Sequence, residues 1–325
     1  MKFDVFVSAV VPIDNDADIL PAFVDEISAL LKKTYKNYEL IFVDDGSTDD
    51  TAALFADILE EKSSLRYIRL PRRFGLEVSI SCGLDNAIGD VVAVLRPASD
   101  PIDRLPDFVT KARKNHGVVV GVREDAESLP FSYRFSYGLF HAASKIFLDF
   151  PPIRYSTYYM AFTRTSLNAL LRIKDRYRTL RVLGLYAGYK VDTLGYQTVS
   201  RRLDKRRRSF WTLLENGVST IVSNSSRPLR WASVIGMMCA GVNTVYIAYI
   251  FISKFMREKI ASGWASSSLQ NSIMFTLLFL LLVIVCEYLG RLLDEVKNRP
   301  LYFIDYERHS NEMLAEPDVK NVVKE

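Results

Sequence analysis

Residues 41–51 read IFVDDGSTDDT, and the fold follows from how this stretch is parsed. Three apolar residues lead into two consecutive carboxylates, a glycine, and a run of small polar residues that opens the next apolar-periodic segment. Such a stretch is a buried strand that ends at Asp44 and Asp45, turns on Gly46 and enters a helix capped by Ser47 or Thr48. The carboxyl end of a strand in a parallel sheet is where ligands bind. There Asp44 or Asp45 can accept hydrogen bonds from a nucleotide base or ribose, while Gly46 lets the backbone approach closely. The same residues also read as an acidic turn with a helix cap and no ligand.

Outward from this point the chain alternates. Phe3 to Val11 reads as a strand, followed by a helical segment to about Lys33, the strand YELIFVDD and a helix from Thr51 to Lys62. The strand LRYIRL, a helix from about Glu77 to Ala87 and the strand VVAVL come next, then DFVTKARKNHG as a helix and VVVGVR as a strand. A long helical region runs from Phe131 to about Leu148. Such alternation predicts an α/β domain with a mostly parallel sheet over residues 1–208.

The chain has 325 residues, enough for a sizeable core. Its 42 basic and 38 acidic side chains leave +4, which argues for no nucleic-acid partner. Cys82, Cys239 and Cys286 form neither a disulfide framework nor a zinc spacing. The histidines, His116, His141 and His309, are isolated and read as packed or solvated.

Apolar residues concentrate late in the sequence. Trp231 to Ser253 carries no charged side chain and as a helix would extend about 35 Å, enough for a bilayer. Ile273 to Cys286 is charge-free and reaches bilayer thickness when extended to about 269–290. A two-helix membrane hairpin over 229–293 is expected. Arg201, Arg202, Lys205, Arg206, Arg207, Arg208, Arg227 and Arg230 precede it, and Lys297 and Arg299 follow, so both termini are expected to be cytoplasmic. The intervening Lys254, Arg257 and Lys259 weaken that asymmetry without reversing it. Residues 209–228 read as an amphipathic helix lying in the interface, and residues 294–325 as a tail that packs through LYFIDY before becoming disordered.

The stretches VVPIDND, VDDGSTDD, FGLEVSISCGLDNAIGD and EYLGRLLDEVKNRPLY, in that order along nearly the whole chain, resemble the family 2 glycosyltransferases that load a sugar onto a polyprenyl phosphate. The resemblance implies a GT-A (Rossmann-like) fold, a nucleotide-sugar donor, a polyprenyl phosphate such as undecaprenyl phosphate as acceptor, membrane lipids as surroundings, and a homo-oligomer such as a tetramer. It assigns Pro12, Asn15, Asp16, Asp44, Asp45 and Gly46 to the nucleotide, and Arg123 to the donor phosphates. Arg134 and Ser136 match a basic and a small polar residue on the following helix. With Arg206 and Arg207 they are assigned to the lipid phosphate.

The sequence departs from that family at the end of the fourth strand. Relatives place two carboxylates there to ligate the Mg2+ or Mn2+ that neutralises the donor diphosphate. This chain reads LRPASDP, with Leu95 and Pro97 at the two acidic positions and Arg96 between them. The metal ligands are missing unless Asp100 or Asp103 supplies them. Arg96, with Arg123 and Arg73, is the candidate to cover the phosphate charge instead, so Arg96, Asp100 and Arg123 are the catalytic candidates. The family's GDFR is replaced by Thr157, Tyr158, Tyr159 and Met160. Two readings stand at this stage: an inverting, metal-independent sugar transferase, and a non-catalytic relative that scaffolds an active transferase or flippase.

Overall fold

The computed structural model describes residues 2–125, 131–147, 153–173, 188–201, 264–296 and 300–310, together with seven single positions between 231 and 245. The chain forms two compact units. One comprises Met1–Ala142, Phe150–Leu214 and Pro300–Glu325, and the other Ala143–Asp149 and Glu215–Arg299.

In the first unit β1 (Phe3–Ile13), α1 (Leu20–Thr34), β2 (Tyr35–Asp44), α2 (Thr51–Glu61), β3 (Leu65–Arg69), α3 (Leu76–Asn86) and β4 (Val91–Val94) alternate as the apolar pattern predicts. They are followed by α4 (Leu105–Asn115), β5 (Val118–Arg123), α5 (Phe131–Phe147, whose residues from Ala143 on belong to the second unit), β6 (Ser156–Thr163), α6 (Arg164–Leu171) and β7 (Val191–Tyr196). A last strand, β8 (Tyr306–His309), comes from the far end of the chain. The sheet order is β7-β5-β6-β4-β1-β2-β3-β8.

Strands β4, β1, β2 and β3 run parallel, so their carboxyl ends share one edge. The sheet is more mixed than the alternation alone implies. β6 runs antiparallel to both β4 and β5, and β8 antiparallel to β3.

Central strands are apolar almost throughout because both faces are covered. Val7, Ala9, Val11 and Phe42 pack on one side with Leu20, Phe23 and Ile27 of α1 and Phe108 of α4. Val10, Ile41 and Val43 pack on the other with Ile80 and Leu84 of α3 and Leu167 of α6. This period-two division of one strand between two cores makes a three-layer sandwich. Aromatic rings fill the first core: Phe42, Phe55 and Tyr67 succeed one another at 4.8 and 4.6 Å between centroids, and Phe108 stacks on Tyr159 at 4.0 Å.

One expected cap is corrected. α2 starts at Thr51 as expected, but its N-cap position is Asp50, with no side-chain cap bond; the Ser47 hydroxyl instead accepts the Asn15 N–H and Thr48 is tied to Asn15. Asp49 instead accepts from the Thr51 amide and hydroxyl. The tail after Pro300 does pack on this unit, through Tyr302, which donates to Asp85 at 3.0 Å, and through β8.

In the second unit α7 (Trp264–Val296) has 33 residues, about 50 Å of helix. Its side chains are described only in part; Phe275, Phe279, Leu280 and Val283 are exposed. Gly236 lies close to it, since a Cβ there would sit 3.0 Å from Leu281 Cδ1. The expected membrane helix 231–253 and interfacial helix 209–228 fall mostly or wholly outside the described residues, whereas 269–290 falls within α7. Among the described residues no helix is both long and apolar enough to cross a membrane.

His116 ends α4 in the left-handed conformation, φ 49°, where glycine is the usual occupant. His116→Gly is expected to stabilise the protein by about 0.5–1 kcal/mol, read as a higher midpoint in urea with an unchanged slope.

Candidate functional site

The shared carboxyl edge of β1, β2, β3 and β4 gathers four segments: 12–16, 44–50, 70–76 and 95–101. Pro12 lies opposite Val43, and the Asp45 N–H donates to the Ile13 carbonyl, so the first two segments leave the sheet together. Asn15, with φ 56°, turns its side chain across the gap. Its Oδ1 accepts from Thr48 N at 2.9 Å, Thr48 Oγ1 at 3.1 Å and Asp49 N at 3.2 Å. Asp16 accepts from the Asp14 N–H, and its carbonyl receives the N–H groups of Ile19 and Leu20, which starts α1.

The two carboxylates of the opening motif lie side by side but turn inward. Asp44 is fully buried; it accepts from the Ser47 N–H at 2.7 Å and the Tyr67 hydroxyl at 2.5 Å, with Arg69 Nη1 3.7 Å away. Asp45, nearly as buried, accepts from the N–H groups of Phe74 and Gly75 at 2.7 and 2.8 Å. Burial pushes the Asp45 carboxyl up from its usual range, against the pull of those two amides and of Arg73. Gly46, at φ 69°, fits beneath the following loop, where an added Cβ would lie 2.5 Å from the Arg72 carbonyl carbon. The pair thus ties the end of β2 to the 72–75 loop that opens α3, and Arg73 closes the same gap by pairing with Asp14.

At the end of β4 the Leu95 side chain is in the core and Pro97 is buried. Asp100, also fully buried, accepts from Arg96 N at 2.8 Å, Ser99 Oγ at 3.0 Å and Tyr196 Oη at 3.0 Å. Its carboxylate closes the 96–100 turn from inside. Asp103 is exposed in a short 3-10 turn, Ile102–Arg104. Among the described residues no group of three histidine, cysteine, aspartate or glutamate side chains is placed to hold a metal ion. The residues present do not fit the divalent ion that the resemblance implies, because a leucine, an arginine and a proline offer no side-chain oxygen.

What the turn does offer is a cation. Arg96 Nη2 lies 3.5 Å from Asp100, the side chain is 26% exposed, and its buried Nε has no hydrogen-bond partner. Burial works against the Arg96 charge, but Asp100 and the phenols of Tyr196 and Tyr158 outweigh it and hold the guanidinium above its ordinary range. Tyr158, at the second position of the replaced GDFR, donates to Glu77 at 2.5 Å, joining β6 to the first turn of α3.

Of the remaining sequence-predicted residues only Arg123 has a described side chain. Arg123 is held two strands away by Asp125, at 2.7 and 2.9 Å, and by Thr198 at 3.0 Å. The Arg123 guanidinium keeps the Asp125 carboxyl below its usual range. Arg134 and Ser136 sit on α5 with side chains outside the described residues, and Arg206 and Arg207 lie outside them altogether.

Sequence reasoning missed Arg201, grouped there with the basic run. Its Nη1 donates to the carbonyls of Pro97 and Asp100 at 3.1 and 2.8 Å, and its Nη2 reaches Glu26. The guanidinium lies over the Phe23 ring at 5.4 Å, so Arg201 pins the Arg96 turn to α1. No local signal separates it from the basic residues that follow, since its partners are main-chain oxygens a hundred positions away.

The model of the family described as glycosyl transferase family 2 matches residues 8–172, which contain every one of these four segments. The chain belongs to that family. It is 25% identical over 299 residues to the uncharacterized glycosyltransferase YkcC of Bacillus subtilis, covering 91% of this chain and 92% of that protein. It is 28% identical over 310 residues to an undecaprenyl-phosphate 4-deoxy-4-formamido-L-arabinose transferase of Pseudomonas fluorescens, covering 92% and 89%. A solved glucosyl-3-phosphoglycerate synthase of Mycobacterium tuberculosis is 20% identical, with a TM-score of 0.47 over 68% of this chain and 80% of that one.

Gly46→Ala is expected to cost about 2–4 kcal/mol, since the methyl group would meet main chain at a positive φ. A chemical-denaturation midpoint indistinguishable from the parent would contradict this packing of the 72–73 loop on the motif.

Proposed function

We propose that this glycosyltransferase moves a sugar from a nucleotide-sugar to a polyprenyl phosphate, of the undecaprenyl kind, at the cytoplasmic face of a membrane, with Arg96 in the place of the divalent ion. The observation that carries this reading is the Arg96 side chain: a cation at the carboxyl end of β4, partly exposed, with a buried Nε–H donor left unmatched. A donor phosphate oxygen would satisfy that Nε–H, and guanidinium groups suit phosphate because they stay charged and can bind it through two parallel N–H groups. Full-length relatives named as undecaprenyl-phosphate transferases support the acceptor. The charge-free stretch of α7, with exposed phenylalanine and leucine side chains, supports attachment to the membrane.

In this reading a phosphate oxygen of the lipid attacks the anomeric carbon opposite the departing nucleotide. The new C–O bond forms as the bond to the nucleotide phosphate breaks, the electron pair leaves on that phosphate oxygen, and the anomeric configuration inverts. The acceptor is already an anion, so no strong general base is required. The contribution of Arg96 is to offset negative charge that grows on the leaving phosphate, and Arg201 and Asp100 keep it at the strand end. Asp44, Asp45 and Asn15 hold the loops against which the nucleoside would lie.

Transfer from labelled UDP-, GDP- and CMP-sugars to undecaprenyl phosphate should survive excess chelator and fall about 100-fold in kcat/KM in Arg96→Ala. Abolition by chelator would overturn the role given to Arg96. Absence of transfer from every donor, in protein shown to be folded, would replace this reading with a non-catalytic family member.

A further inference from the structure

β8 does more than cover a sheet edge. Tyr306 lies in register opposite Arg69, with its phenol within electrostatic reach of the Arg69 guanidinium, and the Asp305 N–H donates to the Arg69 carbonyl at 2.8 Å. The strand is anchored on both sides of this contact. Glu307 accepts from Arg66 at 2.7 Å, and Ser310 exchanges hydrogen bonds with the main chain of Leu65. Tyr302, just before it, donates to Asp85.

From β3 the contacts continue to the DDGS turn, not back into the sheet. Arg69 Nη2 donates to the Ser47 carbonyl at 2.9 Å, and Nη1 lies 3.7 Å from Asp44. Tyr67, whose ring faces that of Tyr306 at 6.1 Å, donates its hydroxyl to the same carboxylate. Two β3 side chains that β8 touches are therefore the side-chain partners of the buried Asp44. A strand that only blunted an edge would need its main-chain bonds alone. Here Tyr306 also stands opposite the arginine that holds the turn.

We propose that β8 is a positioning element of the nucleotide site, acting through Tyr306 and Arg69 on residues 44–47, so that the C-terminal segment of the chain is needed for donor affinity. This rests on the assignment of the DDGS turn to the nucleotide given above. Removing a hydrogen bond to a charged group loosens a contact worth about one power of ten in an equilibrium constant.

The test uses full-length protein, with UDP, GDP and CMP as calorimetric probes and the transfer assay alongside. Tyr306→Phe and Arg69→Met are expected to raise the dissociation constant of the bound nucleotide, and the donor KM, about tenfold. The kcat should stay within about twofold in both, the melting temperature within about 3 °C in Tyr306→Phe, and Arg69→Lys should recover part of the affinity. Variants that melt earlier yet bind nucleotide as tightly as the parent would overturn the proposal and leave β8 an edge cover. Parent protein that binds none of the nucleotides would overturn the assignment of the turn itself, and this proposal with it.

Discussion

A carboxylate buried at the carboxyl end of β2 governs the arrangement around it. Asp44 has no exposed surface, and an ionised group there is tolerated only when its lone pairs are filled and a positive charge stands near. The Ser47 amide, the Tyr67 hydroxyl and Arg69 meet those requirements. Taking one partner away from such a group costs about 3–5 kcal/mol. The turn after β2, the aromatic stack beneath it and the register of β3 are in this way bound to one another, and through β3 so is β8.

A second buried carboxylate repeats the device at the end of β4. Asp100 faces inward and gathers the Arg96 amide, Ser99 and Tyr196, so the residues that could have faced a ligand with oxygen atoms present a guanidinium instead. A divalent ion and an arginine differ as electrostatic tools. The ion concentrates two charges and needs oxygen ligands of its own, whereas the arginine brings one delocalised charge already built into the chain. Leu95 and Pro97 are buried and offer no side-chain oxygen to such an ion.

Much of the first unit was legible in local pattern. The apolar runs at 3–11, 38–45 and 91–95 gave strands, and the period of Leu20, Phe23, Val24, Ile27 and Leu31 gave α1, because a core covered on both faces imposes those patterns whatever the remainder of the chain does. The helix cap was misplaced because Ser47 and Thr48 have a competing partner in Asn15, more than thirty residues earlier. β8 was expected only as a packed tail, since four residues, YERH, carry no alternation that marks them as a strand. Arg123 reads as a phosphate ligand, and its residue type does not disclose its pairing with Asp125 and Thr198.

The sequence by itself determined the alternating strand and helix order, the motif at 41–51, the loss of carboxylates at 95 and 97, and the family resemblance. All of these reside in residue type and short spacing. Only the tertiary structure decided that Asp44, Asp45 and Asp100 point inward, that Arg96 keeps a donor unmatched, and that Arg201 and Tyr306 hold the segments around them. Those outcomes depend on which distant main-chain and side-chain groups compete for each hydrogen bond, and that competition is settled by packing across the sheet, where partners a hundred or more residues apart come within 3 Å.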